Sequence, residues 1–111
     1  QKSSEIRETV ERVREIQSER LKGRNILYNS EMTTKDIDDF CELKHSDERF
    51  LEEYYERKGL SARGLIKILK VARTVADYEG NADISHENLC EAITYRSIVE
   101  KYWGGGIYES V

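Results

Sequence analysis

The chain has 111 residues and a formal net charge of −4, with two cysteines and no proline. One domain fits this length, which is sufficient for a hydrophobic core. The negative charge argues against a domain that binds nucleic acid over its whole surface, although local basic faces remain possible. Two cysteines are too few for a disulfide framework, and no apolar run approaches the roughly 18 residues of a membrane span. We therefore expect a cytoplasmic protein that does not contact a membrane.

The pattern of apolar residues predicts an all-α fold, a bundle of about five helices. Capping residues and glycines place these helices at about 4–21, from 34 onward for a short one, 46–59, 61–80, and after 85. Residues 22–33 are predicted to form a loop. The three consecutive glycines at 104–106 predict a flexible tail over 104–111, which follows a single domain over 1–103.

The predicted helix that follows Ser61 carries the most information about function. Its apolar residues fall on one broad arc, with Leu69 near the middle. Arg63, Lys67 and Lys70 fall together on the opposite side. An arginine in the first turn opposes the helix dipole unless an anion such as phosphate comes close. A charged helix face is also typical of simple contact with water, and periodicity alone favours that second interpretation.

Several segments resemble one known family. Residues 60–80 read LSARGLIKILKVARTVADYEG, and they are followed by ISHENLCEAITYRS at 84–97 and KYW at 101–103. Further upstream, Val13, Arg14, Gln17 and Arg20 resemble the family pattern ARxxQxxR, and NSEM at 29–32 resembles its NAxM/L turn. The chain is similar over nearly all of residues 4–103 to the C-terminal domain of magnesium chelatase-related AAA+ ATPases, in their ComM/YifB-like branch. Ser30 and Gly64 stand where this family commonly has alanine.

The resemblance implies a helical lid beside the nucleotide-binding core of an AAA+ ATPase. In the family's SAR motif the arginine is the sensor 2 residue, which contacts the ATP phosphates, and this role falls on Arg63. ATP and Mg²⁺ would be bound mainly by the AAA+ core of the same protein, and neighbouring subunits of a homo-oligomeric ring, usually a hexamer, would be further partners. ComM-like proteins resemble DNA branch-migration helicases linked to natural transformation, so DNA is a candidate partner.

Two alternatives remain open at this point. The face that carries Arg63 could bind nucleic acid directly, as an interaction module. The parent protein could also be a magnesium chelatase proper, in which the same architecture drives metal insertion into a porphyrin. The chain begins at Gln1 without a methionine, and we expect it to be a fragment of a longer protein.

Five other cations are candidates for a subunit interface or for support of the bound phosphate: Lys67, Lys70, Arg73, Arg14 and Arg96. The spacing of four residues between Arg73 and Asp77 predicts an ion pair at the surface or between domains. For Arg14 and Arg20, a solvated helix face and an interface are equally plausible.

No catalytic residue is expected in this chain. It lacks the motif GxxxxGK[ST] of a phosphate-binding loop, so the fragment alone should not hydrolyse ATP, whereas the parent should. The pairs Cys41 with His45 and His86 with Cys90 could supply four zinc ligands, but burial of the cysteines as small apolar residues is the favoured interpretation, and no metal site is expected. Nothing in the sequence places a histidine base beside either cysteine. Five tyrosines are expected in the core or at its edge and not as platforms for base stacking: Tyr28, Tyr54, Tyr55, Tyr78 and Tyr95.

Overall fold

The computed structural model describes the backbone of residues 3–110 and the side chains of residues 3–98. This part of the chain forms five α-helices and a short 3-10 helix, without β-strands. In chain order these are α1 (Ser3–Arg20), the 3-10 helix (Asn29–Glu31), α2 (Thr34–Phe40), α3 (His45–Lys58), α4 (Ala62–Tyr78) and α5 (His86–Ser110). The predicted all-α fold of about five helices is confirmed. The predicted tail at 104–111 lies outside the residues whose side chains are described, and the division at 103 stays a prediction.

Helix ends follow the local signals in the sequence. The hydroxyl of Ser61 accepts a hydrogen bond from the amide of Gly64 at 3.2 Å and so caps the start of α4. Gly59 and Gly80 follow α3 and α4 with φ of 65° and 75°, in the left-handed region that glycine adopts without strain. After each glycine, the next amide bonds back to a carbonyl five residues earlier, at 3.1 and 2.8 Å. These turns set where α4 begins and ends.

Helix α4 is the centre of the domain, because it packs against α1, α2, α5 and the 3-10 helix. Its residues Ile68, Ala72 and Ala76 are at most 1% exposed, whereas Leu69 is only half-buried. Each of the other helices, or a residue next to its end, also contributes buried residues to the hydrophobic core: Leu21, Met32, Ile37, Cys41, Leu51, Tyr54, Ile84, Leu89 and Ala92. Within the described residues, no helix is both long enough and apolar enough to cross a membrane.

The loop between α1 and α2 is held in place by its own side chains. The carboxylate of Glu31 accepts hydrogen bonds from the amides of Leu27 and Tyr28 at 2.9 and 3.1 Å. Asn29 and Met32 are 1% and 3% exposed, so the 3-10 helix is fixed to the core at both ends. The NSEM segment therefore brings Asn29 against α4.

Candidate functional site

The largest polar feature of the described chain is a buried network centred on the carboxylate of Asp77, which is 1% exposed. Arg20 of α1 donates two hydrogen bonds to it, at 2.8 and 2.5 Å. The Nε of Arg73 donates a third hydrogen bond at 3.2 Å, and the side-chain amide of Asn29 donates a fourth at 2.9 Å. One carboxylate thereby joins α1, the 3-10 helix and α4.

Other residues extend this network. The side chain of Asn29 also donates to the hydroxyl of Thr74 at 3.0 Å, and its backbone amide donates to the side chain of Gln17 at 3.0 Å. The remaining nitrogens of the Arg73 guanidinium donate to the carbonyls of Ala82 and Asn81, at 2.9 and 2.8 Å. Because every buried polar group here has a partner, the network stabilises the relative placement of three elements.

The network corrects two expectations. Arg73 and Asp77 do form the predicted ion pair, but the pair is buried, with Arg73 only 3% exposed, so a surface pair is wrong. Arg20 was expected on a solvated face or at an interface, and it is instead partly buried against Asp77. The family patterns that contain Gln17, Arg20 and Asn29 therefore have a structural role within the domain. Whether Arg73 also supports an interface stays a prediction.

The start of α4 combines two arginines. Arg63 is exposed in the first turn, between the capping residue Ser61 and Gly64, whose amide is capped. Arg96 of α5 is 8% exposed, and its guanidinium packs against the same turn: a Cβ built on Gly64 would lie 3.1 Å from its Nη2. A side chain at position 64 would therefore require the Arg96 guanidinium to move by a few tenths of an ångström. The helix dipole, Arg63 and Arg96 all contribute positive potential at this end of α4, an arrangement that favours an anion.

The three cations of the predicted basic face, Arg63, Lys67 and Lys70, differ in exposure. The Nζ of Lys70 donates to the carbonyl of Ser30 at 2.9 Å, and the lysine is half-buried. Lys67 is also half-buried, whereas Arg14 is exposed on α1. On the same side of α4, the residues that follow Lys70 belong to the buried network around Asp77. Of the three cations, Arg63 is exposed, whereas Lys67 and Lys70 are half-buried.

Lys67 and Lys70 border a groove of about 620 Å³ between α4 and α5. Its lining is mainly apolar and includes Ile68, Val71, Val75 and Ala92. Tyr78 and Tyr95 also line it, and they are 44% and 46% exposed. Tyr54 is buried and Tyr55 is half-buried, as expected for the core or its edge, whereas Tyr28, at 43% exposed, lies outside the core together with Tyr78 and Tyr95.

The cysteines differ from each other. Cys41 is 4% exposed, and burial raises the pKa of its thiol to about 11. Among residues with described side chains, no cluster of three His, Cys, Asp or Glu residues could hold a metal ion. Cys90 is half-buried, and its Sγ lies 3.4 Å from Nε2 of His86. The expectation that no histidine stands beside a cysteine is therefore wrong. The spacing of four residues was visible in the sequence and was the signal for this contact.

The fold and the buried network define an all-α helical domain. A family profile described as magnesium chelatase, subunit ChlI C-terminal, matches residues 1–96, so the chain belongs to this family. The competence protein ComM of Haemophilus influenzae is 43% identical over 97 residues, which is 87% of this chain and 18% of that protein.

Two further relatives are both named YifB and both uncharacterised. The protein from Salmonella typhimurium is 43% identical over 63% of this chain, and that from Escherichia coli is 36% identical over 79%. The chain spans only 14% and 17% of their lengths. No solved structure matches the chain significantly. The predicted membership in the magnesium chelatase-related family, with similarity to its ComM- and YifB-like members, is confirmed.

Proposed function

We propose that this domain is the sensor 2 lid of an AAA+ ATPase and that Arg63 contacts the ATP phosphates. The observation that carries the proposal is the position of Arg63, which is exposed in the first turn of the central helix. A cation placed there is unfavourable for the helix dipole, and a nearby phosphate would reverse this cost. Arg96, packed under the same turn, adds a second guanidinium to the same region.

The lid would report the state of the nucleotide. When ATP occupies the core, the γ-phosphate attracts Arg63, and loss of that phosphate releases it, so the lid changes its angle to the core. Helix α4 is suited to transmit this motion because the Asp77 network and the apolar core fix it to α1, α2 and α5. ATP and Mg²⁺ are then bound mainly by the core, and the fragment alone does not hydrolyse ATP.

The parent would act as a cytoplasmic homo-oligomeric ring of the ComM-like type, a DNA branch-migration helicase. The relatives named ComM and YifB favour this branch over a magnesium chelatase proper. The name of the Haemophilus influenzae relative, competence protein ComM, supports a role in genetic competence.

The test uses the full-length parent with Arg63→Ala. We expect ATP hydrolysis to fall by at least about tenfold, because a positive charge at the transferred phosphoryl group stabilises the transition state. Arg7→Ala, at an exposed arginine of α1 outside all candidate sites, is the matched control and should leave the rate unchanged. Full activity in the Arg63 variant would reject the sensor role. Lys67→Ala should cost much less, since Lys67 lies a turn farther from the helix start.

The groove between α4 and α5 supports a second candidate, direct binding of single-stranded nucleic acid. Lys67, Lys70 and Arg96 line it with two exposed tyrosines, beside Glu79 and Glu91. Sites for single strands combine basic groups with aromatic rings on which bases stack. A fluorescein-labelled oligonucleotide should then bind the chain with a salt-sensitive affinity near micromolar. Lys67→Ala with Tyr95→Ala should abolish this binding. A lid that does not touch DNA should show no salt-sensitive binding in either form.

A further inference from the structure

Three side chains from two helices contact one another in succession near the surface of the domain. The Oδ1 of Asp47, in the first turn of α3, lies 2.7 Å from Nδ1 of His86. The other ring nitrogen of His86, Nε2, lies 3.4 Å from Sγ of Cys90, one turn further along α5. Phe50 of α3 contacts the imidazole edge to face, with ring centroids 5.1 Å apart. The order is carboxylate, imidazole, thiol.

This order determines what the imidazole can do. A carboxylate that accepts the Nδ1 proton directs the lone pair of Nε2 toward the sulfur. The imidazole can therefore take the thiol proton, and the imidazolium that forms remains between two negative charges, the carboxylate and the thiolate. Asp47 is only 4% exposed, so its carboxylate is fixed in place, whereas the sulfur of half-buried Cys90 remains accessible.

We propose that Cys90 is a site of thiol modification by low-molecular-weight disulfides such as glutathione disulfide, with His86 as its base and Asp47 as the residue that orients the base. Nothing in the lid role requires this cluster, so the proposal is independent of the function proposed for Arg63. The second cysteine of the chain, Cys41, is buried in the core and provides an internal comparison.

The reaction is a thiol–disulfide exchange. His86 takes the proton of the Cys90 thiol, and the thiolate attacks one sulfur of the glutathione disulfide. A new S–S bond forms between Cys90 and that glutathione, and the original S–S bond breaks. The departing glutathione thiolate takes the proton from His86 and leaves as glutathione. Cys90 is oxidised, half of the disulfide is reduced, and no other reactant is needed.

The test incubates the reduced 111-residue chain with glutathione disulfide at pH 7 and follows each cysteine by peptide mass spectrometry. We expect Cys90 to form the mixed disulfide at least about tenfold faster than in His86→Asn, because the variant loses the base. Cys41 should remain unmodified as long as the chain is folded. His45→Asn replaces the other histidine, which is exposed at the start of α3, and should leave the Cys90 rate unchanged.

Removing the imidazole also exposes the sulfur of Cys90 to solvent. If exposure alone determined the rate, Cys90 would react faster in His86→Asn than in the wild-type chain. An equal or faster rate in that variant would overturn the proposal. Circular dichroism must show the same helix content in both chains. Alkylation by iodoacetamide should give the same ranking, since it also requires a thiolate but forms no disulfide. An unchanged alkylation rate in a folded His86→Asn chain would equally reject the role of His86.

Discussion

Arg20 donates hydrogen bonds from both terminal nitrogens of its guanidinium to the carboxylate of Asp77, although the two residues are 57 positions apart in the sequence. Only 13% of the Arg20 side chain and 1% of the Asp77 side chain are exposed. Two parallel hydrogen bonds between a planar guanidinium and a carboxylate fix orientation as well as distance. This ion pair therefore sets the register of α1 against the central helix.

Asp77→Asn should destabilise the domain by about 3–5 kcal/mol, the usual cost of removing one member of a buried charged pair. The variant keeps the shape of the side chain but leaves Arg20 and Arg73 without their common negative partner. Urea unfolding followed by circular dichroism measures the loss. Asp83→Asn, at an exposed aspartate of the following turn, should change the free energy of unfolding by less than about 0.5 kcal/mol. Equal effects of the two changes would show that the network contributes little.

Much of the fold could be predicted because its signals are local. Ser61, Gly59 and Gly80 act within a few residues of themselves, and the structure places the ends of α3 and α4 at these positions. The partners of Asp77 could not be predicted in this way. Periodicity places a residue on a face of its own helix, but it does not say which distant element covers that face. For this reason Arg20 and Arg73 were expected on the outside of the domain, in contact with water or at an interface.

The same limit applies to the small clusters. The contact of His86 with Cys90 is local and was visible as a spacing of four residues, whereas Asp47 reaches His86 from another helix. Arg63 was expected in the first turn of α4 and lies there, because both the cap and the apolar arc are local features. Its contact with phosphate depends on a partner domain and stays a prediction.

Ile68→Ala should cost about 2–5 kcal/mol of unfolding free energy, whereas Leu69→Ala should cost clearly less. Both residues lie on the apolar arc of α4, but Ile68 is 1% exposed and Leu69 is half-buried beside a surface groove. The pair thus compares similar losses of volume at adjacent positions. Thermal or urea unfolding of the two variants measures the difference. If Leu69→Ala lost more unfolding free energy than Ile68→Ala, α4 would be rotated about its axis relative to the core.

Acid should destabilise the domain partly through Asp36. The backbone amide of Thr33 donates to its carboxylate at 3.0 Å, and this bond, with help from Arg24 at 2.7 Å, lowers the pKa of Asp36. The folded state therefore favours the ionised form. Its contribution to stability is complete above the unfolded pKa of about 3.9 and is lost as the pH falls through the lower folded pKa.

Melting temperatures between pH 6 and pH 2 check this dependence. Asp36→Asn should lower the melting temperature near neutral pH and make it fall less steeply in acid, because the variant has no proton to bind at this position. Asp38→Asn, at an exposed aspartate of the same helix, should follow the wild-type curve. If the Asp36 variant and the wild-type chain show the same acid slope, the carboxylate is not stabilised in the folded state.

Gly64→Ala should fail to stabilise α4, although alanine is favoured over glycine inside a helix by about 1 kcal/mol. The added Cβ would lie 3.1 to 3.3 Å from three atoms of the Arg96 guanidinium, which would have to move by a few tenths of an ångström. Overpacking of this kind costs about 1–3 kcal/mol, so the net change should be near zero or destabilising.

A double-mutant cycle with Arg96→Ala separates the two contributions. In that background the guanidinium is absent, and Gly64→Ala should raise the free energy of unfolding by up to about 1 kcal/mol. The difference between the two backgrounds should be about 1–2 kcal/mol, within the range for residues in direct contact. Urea unfolding of the four chains gives all the required values. If Gly64→Ala stabilises both backgrounds equally, Arg96 moves aside at no cost, and the close approach at the start of α4 does not explain the glycine.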